Sequence, residues 1–137
     1  MRVRVVRTGQ WRVLALCDSR GACELLEFLA SVGSRYAKDR TRLLALFDRI
    51  AEQGPARNDA LSHHLSGDVW EFIQGGLRVL WFYDAGRVVI CSHGLVKKTR
   101  KIPPADIRRT QAGCNAFRLA QRLGRVEVVD DEEEEDV

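Results

Sequence analysis

The chain has 137 residues, of which 45% are hydrophobic, and its formal net charge is +3. This length suits a single domain, because two domains would each be too small to bury a core. No apolar run approaches the roughly 18 residues of a membrane helix, and the first residues lack a secretory leader pattern, so we expect a cytoplasmic protein. The four cysteines lack Cys-x-x-Cys spacing, which favours buried free thiols over a zinc site or a disulfide framework.

The charge is unevenly distributed along the chain. Residues 1–126 contain all 22 Lys and Arg against 11 Asp and Glu, a net charge of +11, whereas residues 127–137 contain eight acids. A body this basic favours a polyanionic partner such as a nucleic acid, with a merely solvated basic surface as the alternative. A block of like charges cannot pack, so we predict a domain over residues 1–125 and an acidic, disordered tail over residues 126–137.

The first half of the chain predicts extended structure followed by two helices. Two stretches rich in Val and Leu before residue 18 flank a turn that contains Gly, which is typical of one bent strand or a short hairpin. Asp18 and Ser19 are helix-capping residues, and apolar residues then recur at helical spacing up to Gly33. The helical pattern restarts at Ser34 and ends at Gly54, which predicts a helical hairpin.

The second half predicts an antiparallel meander and a last helix. The apolar period changes from 3.6 to 2, and successive strands are predicted over residues 63–65, 69–73, 77–83 and 87–96. Their separators contain Gly, as hairpin turns do. The helical pattern returns from Pro104 to Leu123, and Gly124 is its stop signal. The predicted class is therefore α+β.

The most concentrated positive charge follows the predicted buried strand that contains Val88–Cys91. Pro103 and Pro104 end the segment and can open a helix. Four cations therefore lie between two rigid elements, where they could hold a phosphate: Lys97, Lys98, Arg100 and Lys101. A solvated basic turn is the alternative for each lysine.

Arg78 and the histidines are further candidates for a site. Every neighbour of Arg78 in its predicted strand is apolar, so its guanidinium needs either an open groove or a partner, for which Glu71 on the next strand is the alternative. His93 directly precedes the cationic segment and could transfer protons, although a strand histidine is often a satisfied core residue. His63 and His64 begin an earlier strand and lack a third ligand for zinc.

Three stretches of this half resemble one family. The motifs W-E-F at 70–72, L-R-V-L-W-F at 77–82 and H-G-L-V-K-K-T-R-K-I-P at 93–103 resemble the RelE/HigB-like toxins of bacterial type II toxin–antitoxin systems, closest to the phage-derived, HigB-like host-inhibition branch. The resemblance spans roughly residues 11–120. It implies a compact RelE-like domain in the order β-α-α-β-β-β-α, with a mostly antiparallel sheet, an N-terminal helical hairpin and a C-terminal helix.

The resemblance also implies an activity and partners. The family cleaves messenger RNA in the ribosomal A site, which inhibits translation, and a helix-turn-helix antitoxin from an adjacent gene neutralises the toxin. The resemblance places Arg78 in the catalytic concavity, against phosphate. Cations preorganised around the pentacoordinate phosphate would stabilise its extra negative charge without a metal or another cofactor.

The predicted site has two groups of residues. The catalytic candidates are Arg78, Lys97, Lys101 and His93, and the RNA-binding candidates are Lys98, Arg100, Arg108 and Arg109. Ile73 stands where the family usually has a basic residue, and the chain has no counterpart of the C-terminal tyrosine of some relatives. A catalytically inactive RelE-fold module that binds RNA or protein is therefore the alternative function.

Overall fold

The computed structural model describes residues 1–56 and 60–130. Within these ranges the elements are β1 (Arg2–Thr8), β2 (Arg12–Leu16), α1 (Glu24–Ser31), a 3₁₀ turn (Ser34–Tyr36), α2 (Ala37–Gln53), β3 (Ser62–Ser66), β4 (Val69–Gln74), β5 (Leu77–Asp84), β6 (Val88–Val96), α3 (Pro104–Arg122) and β7 (Glu127–Val129). The predicted α+β class is confirmed, and the first extended stretch is a hairpin. No helix of the described ranges is both long and apolar enough to cross a membrane.

The strands of the described residues form one sheet in the order β3-β4-β5-β6-β2-β1-β7. Most neighbours are antiparallel, as predicted, because short hairpin turns join them. The pairs β2–β6 and β1–β7 are parallel. The meander from β3 to β6 therefore forms one half of the sheet, and the N-terminal hairpin lies beside β6.

Helices cover both faces of this sheet, because successive side chains of a strand point to opposite faces. Helices α1 and α2 pack on one face, where Leu25, Leu43 and Phe47 meet Phe72 and Trp81. Helix α3 packs on the other face, where its buried residues Cys114 and Phe117 meet Leu14, Phe82 and Ile90. By the same alternation Glu71 and Arg78 lie on the α3 face. His93 also lies on that face, opposite Leu80, because a bulge in β6 shifts the alternation by one residue.

The start of α1 differs from the prediction. The helix begins at Glu24 rather than directly after Asp18. The Asp18 carboxylate Oδ1 instead accepts hydrogen bonds of 2.9 Å from the backbone N–H groups of Arg20 and Ala22. Asp18 therefore caps a turn that contains Gly21 at φ +84°, and the turn delays the helix by a few residues.

The start of the predicted acidic tail also differs. Glu127, which was assigned to a disordered tail, begins β7 and pairs with Arg2 of β1. Its N–H donates to the carbonyl oxygen of Met1 at 2.8 Å, and its Oε2 accepts from Arg2 Nε at 3.2 Å. The outer edge of β1 offers unpaired backbone groups that this short strand satisfies. Residues 131–137 of the predicted tail lie outside the described residues, so the domain boundary stays a prediction.

Candidate functional site

Arg78 lies in β5 on the face that carries α3. It stands in register between Ile73 of β4 and Leu95 of β6 and is only 8% exposed. Its Nη1 donates to the carbonyl oxygens of Gly75 at 2.7 Å and Leu77 at 2.9 Å. These two bonds hold the guanidinium at the turn between β4 and β5, at the end of the sheet.

Glu71 is buried beside Arg78. Its Oε2 lies 3.8 Å from Arg78 Nε, and its Oε1 lies 3.5 Å from Nδ1 of His63, a half-exposed side chain on β3. The distance between Glu71 Oε2 and Arg78 Nε is too long for a hydrogen bond. Neither of these two atoms has a hydrogen-bond partner among the described residues. The ion pair that was the alternative for Arg78 is therefore present, but its two nearest atoms are left without hydrogen bonds.

The cations after β6 lie in a bent loop rather than in an extended segment. The strand ends at Val96, and the Thr99 hydroxyl donates to the carbonyl oxygen of Lys101 at 2.8 Å. Lys97 is partly buried, whereas Lys98 and the two other cations are exposed. The loop surrounds a cavity of about 200 Å³ whose lining includes Lys97, Lys98, Lys101 and Asp106. Three of the four predicted cations therefore share one cavity.

The turn Gly75–Gly76 connects these groups, a role that its sequence does not indicate beyond the turn itself. The carbonyl oxygen of Gly76 accepts from the N–H of Lys97 at 2.8 Å, while that of Gly75 accepts from Arg78. On its other side, Asp39 of α2 accepts from the Gly76 N–H at 3.0 Å. Gly75 has φ +57°, and a Cβ there would overlap the Asp39 carboxylate. One glycine turn therefore fixes both Arg78 and the start of the cationic loop.

His93 lies under the cationic loop and not in its cavity. It is 3% exposed, its Nδ1 is 2.9 Å from the Ser92 hydroxyl, and its Nε2 is 2.9 Å from Asp106 Oδ1 in the first turn of α3. Both ring nitrogens therefore have partners. The structure brings His93 close to the site but gives its ring no exposed nitrogen.

The two predicted RNA-binding arginines of α3 have different surroundings. Arg109 donates a hydrogen bond through Nη2 to Glu24 Oε2 of α1. Arg108 is exposed and forms no ion pair with another described residue, as is also true of Arg100 in the loop. Arg100 and Arg108 are therefore available to an anion, whereas Arg109 is engaged with a carboxylate.

The region that builds this site matches a known family. Residues 35–113, more than half of the chain, match the model of a family described as "Phage derived protein Gp49-like (DUF891)". The chain belongs to this Gp49-like family. The family is of the RelE/HigB-like toxin type, which confirms the resemblance at that level. A comparison with curated proteins found no significant match.

The region that matches the Gp49-like family contains every predicted site residue, from Arg78 to Arg109. It also contains Ile73, which lies directly opposite Arg78 on β4. The basic side chain that the resemblance implies at this position would therefore lie beside the guanidinium. In this chain an apolar side chain borders Arg78 there, and the cations of the site come from β5 and the loop.

The thiols and the possible metal ligands of the described residues form no second centre. Burial raises the pKa of all four cysteines, Cys17, Cys23, Cys91 and Cys114, so each thiol stays protonated near neutral pH. Among the described residues no three His, Cys, Asp or Glu side chains are grouped as metal ligands. The candidate chemistry therefore centres on the cations around the Gly75–Gly76 turn.

Proposed function

We propose that this protein is the toxin of a type II toxin–antitoxin module and that it cleaves messenger RNA on the ribosome. The observation that carries the proposal is the Gly75–Gly76 turn, which holds the Arg78 guanidinium and the first residue of the cationic loop by hydrogen bonds of 2.7 and 2.8 Å. A guanidinium held in place by a carbonyl oxygen, together with the lysines that line the cavity of the loop, is suited to a phosphate whose negative charge grows during the reaction.

The proposed reaction uses the RNA's own 2′-hydroxyl. The hydroxyl gives its proton to solvent, and its oxygen attacks the adjacent phosphorus to form a 2′,3′-cyclic phosphate, while the bond to the 5′-oxygen breaks and that oxygen takes up a proton from solvent. Arg78, Lys97 and Lys101 stabilise the pentacoordinate phosphate in this scheme, so a metal is not required. Lys98, Arg100 and Arg108 bind neighbouring phosphates. His93 holds β6 against α3, since both of its nitrogens already have partners.

The proposed partners follow from the type of family. A helix-turn-helix antitoxin from an adjacent gene neutralises the toxin, and the ribosome presents the message. The net charge of +11 on residues 1–126 supports binding to a large polyanion such as the ribosome with its message.

A second candidate function is a RelE-fold module that binds RNA or protein without cleaving it. Two observations favour it: Ile73 removes a cation from the position beside Arg78, and Glu71 partly neutralises the guanidinium. Such a protein would retain the cationic surface and its partner contact but would leave messages intact.

Expression in a bacterial host separates the two functions. The proposal predicts that the chain alone arrests growth and fragments cellular messages, and that co-expression of the neighbouring antitoxin restores growth. Normal growth with intact messages, at verified expression of folded protein, contradicts the proposed enzyme and supports the binding module.

A further inference from the structure

A second row of cations lies along α2, outside the candidate site. Lys38, Arg42 and Arg49 are exposed and follow one another at intervals of four and seven residues, which places them on one side of the helix. Arg35 precedes them in the 3₁₀ turn. None of the four forms an ion pair with another described residue, and we call this row the α2 stripe.

The acids of α2 do not neutralise the α2 stripe. Asp39 is turned toward the sheet, where it binds Gly76, and Asp48 accepts a hydrogen bond of 2.6 Å from Arg7 of β1. The third acid, Glu52, is exposed near the end of the helix and forms no ion pair with Arg49. Lys38 and Arg42 are one turn apart, a spacing at which like charges repel each other by a few tenths of a kcal/mol. A polyanion bound along the helix would remove this repulsion.

The α2 stripe begins where the candidate site ends. The Arg35 guanidinium lies 5.6 Å from the centre of the Tyr36 ring, and a Cβ on Gly76 would approach that ring to 2.8 Å. The Gly75–Gly76 turn therefore has Arg78 and Lys97 on one side and the first residues of the stripe on the other. Cations are consequently found on both sides of one turn.

The next residues of the stripe border a shallow depression. Its volume is about 300 Å³, and Ala37, Lys38, Thr41 and Arg42 line it. The helical rise places Lys38 and Arg42 about 6 Å apart along the axis, and Arg42 and Arg49 about 10 Å apart. The depression therefore lies between two cations.

We propose that the α2 stripe binds the phosphate backbone of a single RNA strand that continues from the candidate site past the Gly75–Gly76 turn. The inference rests on the proposed function for its starting point, but it concerns binding and not cleavage. The four residues of the stripe are all cations, and Ala45, which is exposed between Arg42 and Arg49, is too small to act as the apolar or aromatic anchor of a protein interface core. A row of cations without such anchors fits a phosphate backbone, which binds through charge.

RNA length tests this inference. The ligands are 2′-O-methyl RNA oligonucleotides of about 4 and about 16 nucleotides, which carry phosphates but lack the attacking hydroxyl, so cleavage does not interfere. The test variant is Lys38→Gln/Arg42→Gln. The matched control, Arg12→Gln/Arg20→Gln, removes the same charge from exposed residues of β2 and the following turn.

The expected result is a loss of at least about fivefold in affinity for the long oligonucleotide by the stripe variant only. The slope of log affinity against log salt should also fall by about 1.4, which is about 0.7 for each lost phosphate contact. The short oligonucleotide should bind equally well to the wild type and to both variants.

Three results would overturn the inference. Equal losses in the stripe and control variants would show that only net charge matters. A loss of affinity for the neighbouring antitoxin but not for RNA would assign the stripe to a protein interface. If the wild type binds the long and the short oligonucleotide equally well, the α2 stripe does not bind RNA. If the wild type shows the expected binding but cleaves no message, the proposed enzyme activity is wrong, whereas RNA binding by the α2 stripe is still supported.

Discussion

The backbone N–H of Lys97 donates a hydrogen bond of 2.8 Å to the carbonyl oxygen of Gly76, which joins the end of β6 to the turn between β4 and β5. The preceding residue, Gly75, accepts from Arg78. Consecutive residues of one turn therefore hold the guanidinium of Arg78 and the backbone of Lys97, two of the three cationic residues that we place at the scissile phosphate. A guanidinium fixed in this way needs little reorganisation when charge develops on a phosphate.

The first prediction concerns the fit of Gly75 against α2. Gly75→Ala should lower the free energy of unfolding more than Gly86→Ala, as measured by urea denaturation. Both glycines have positive φ, at +57° and +82°, so each substitution costs about 1–2 kcal/mol of backbone strain. Only Gly75 has the Asp39 carboxylate within reach of the new Cβ, whereas Gly86 faces open space. Equal losses of unfolding free energy in the two variants would contradict the close packing between the Gly75–Gly76 turn and α2.

The second prediction separates the structural and chemical roles of Arg78. Glu71→Leu and Arg78→Met should each lower the free energy of unfolding by about 3–5 kcal/mol, because each leaves one buried charge without its partner. The double variant should recover most of that loss, since it buries two apolar side chains instead. Cleavage should be absent from both Arg78 variants. Additive losses of stability would argue against a coupled pair, and cleavage by the double variant would exclude Arg78 from the reaction.

The third prediction concerns the two lysines assigned to the phosphate. Lys97→Gln and Lys101→Gln should each lower the single-turnover cleavage rate by about 10²-fold, the usual effect of removing one donor from a developing oxyanion. The free energy of unfolding should change little, because neither side chain belongs to a described core cluster. Arg20→Gln is the control for lost positive charge. If the control variant slows cleavage as much as the lysine variants do, the loss of rate comes from the net positive charge of the protein and not from these two positions.

The fourth prediction tests His93 as a proton carrier. His93→Gln should lower the free energy of unfolding by about 1–3 kcal/mol, since it disturbs hydrogen bonds to Ser92 and Asp106 in a buried place. Its cleavage rate at a temperature where the variant is fully folded should stay above that of Lys97→Gln. A fully stable variant that has lost cleavage would instead identify His93 as the general base or acid.

Much of the fold could be predicted because local signals agree with the final packing. The period-2 pattern and the Gly-containing separators indicated the meander, and helical spacing indicated all three helices. The strand β7 was missed because Val128 and Val129 stand next to a run of acids, and the free edge of β1 that binds them is far away in sequence. Asp18 was misassigned because a residue that caps a helix can also cap a turn.

The site was predicted only in part for a similar reason. Apolar neighbours were sufficient to single out Arg78, and Glu71 could be named as its partner from the adjacent strand. The contact between Asp39 and Gly76 joins residues 37 positions apart, so no local pattern indicates it. The burial of His93 likewise depends on how the first turn of α3 packs against β6.

End-group analysis of cleaved RNA tests directly whether the protein cleaves messages through the 2′-hydroxyl, with Arg78 at the phosphate and without a metal. Wild type and Arg78→Gln, each with its folded state confirmed by circular dichroism, would be added to a translating extract that contains an end-labelled message. The released fragments would then be analysed for their termini, with a repeat in purified ribosome complexes after metal chelation under conditions that keep the ribosomes intact. We expect fragments with 2′,3′-cyclic phosphate and 5′-hydroxyl ends, formed by the wild type with or without chelator and absent with Arg78→Gln. Cleavage by Arg78→Gln at the wild-type rate, or fragments that end in 5′-phosphate, would contradict this expectation.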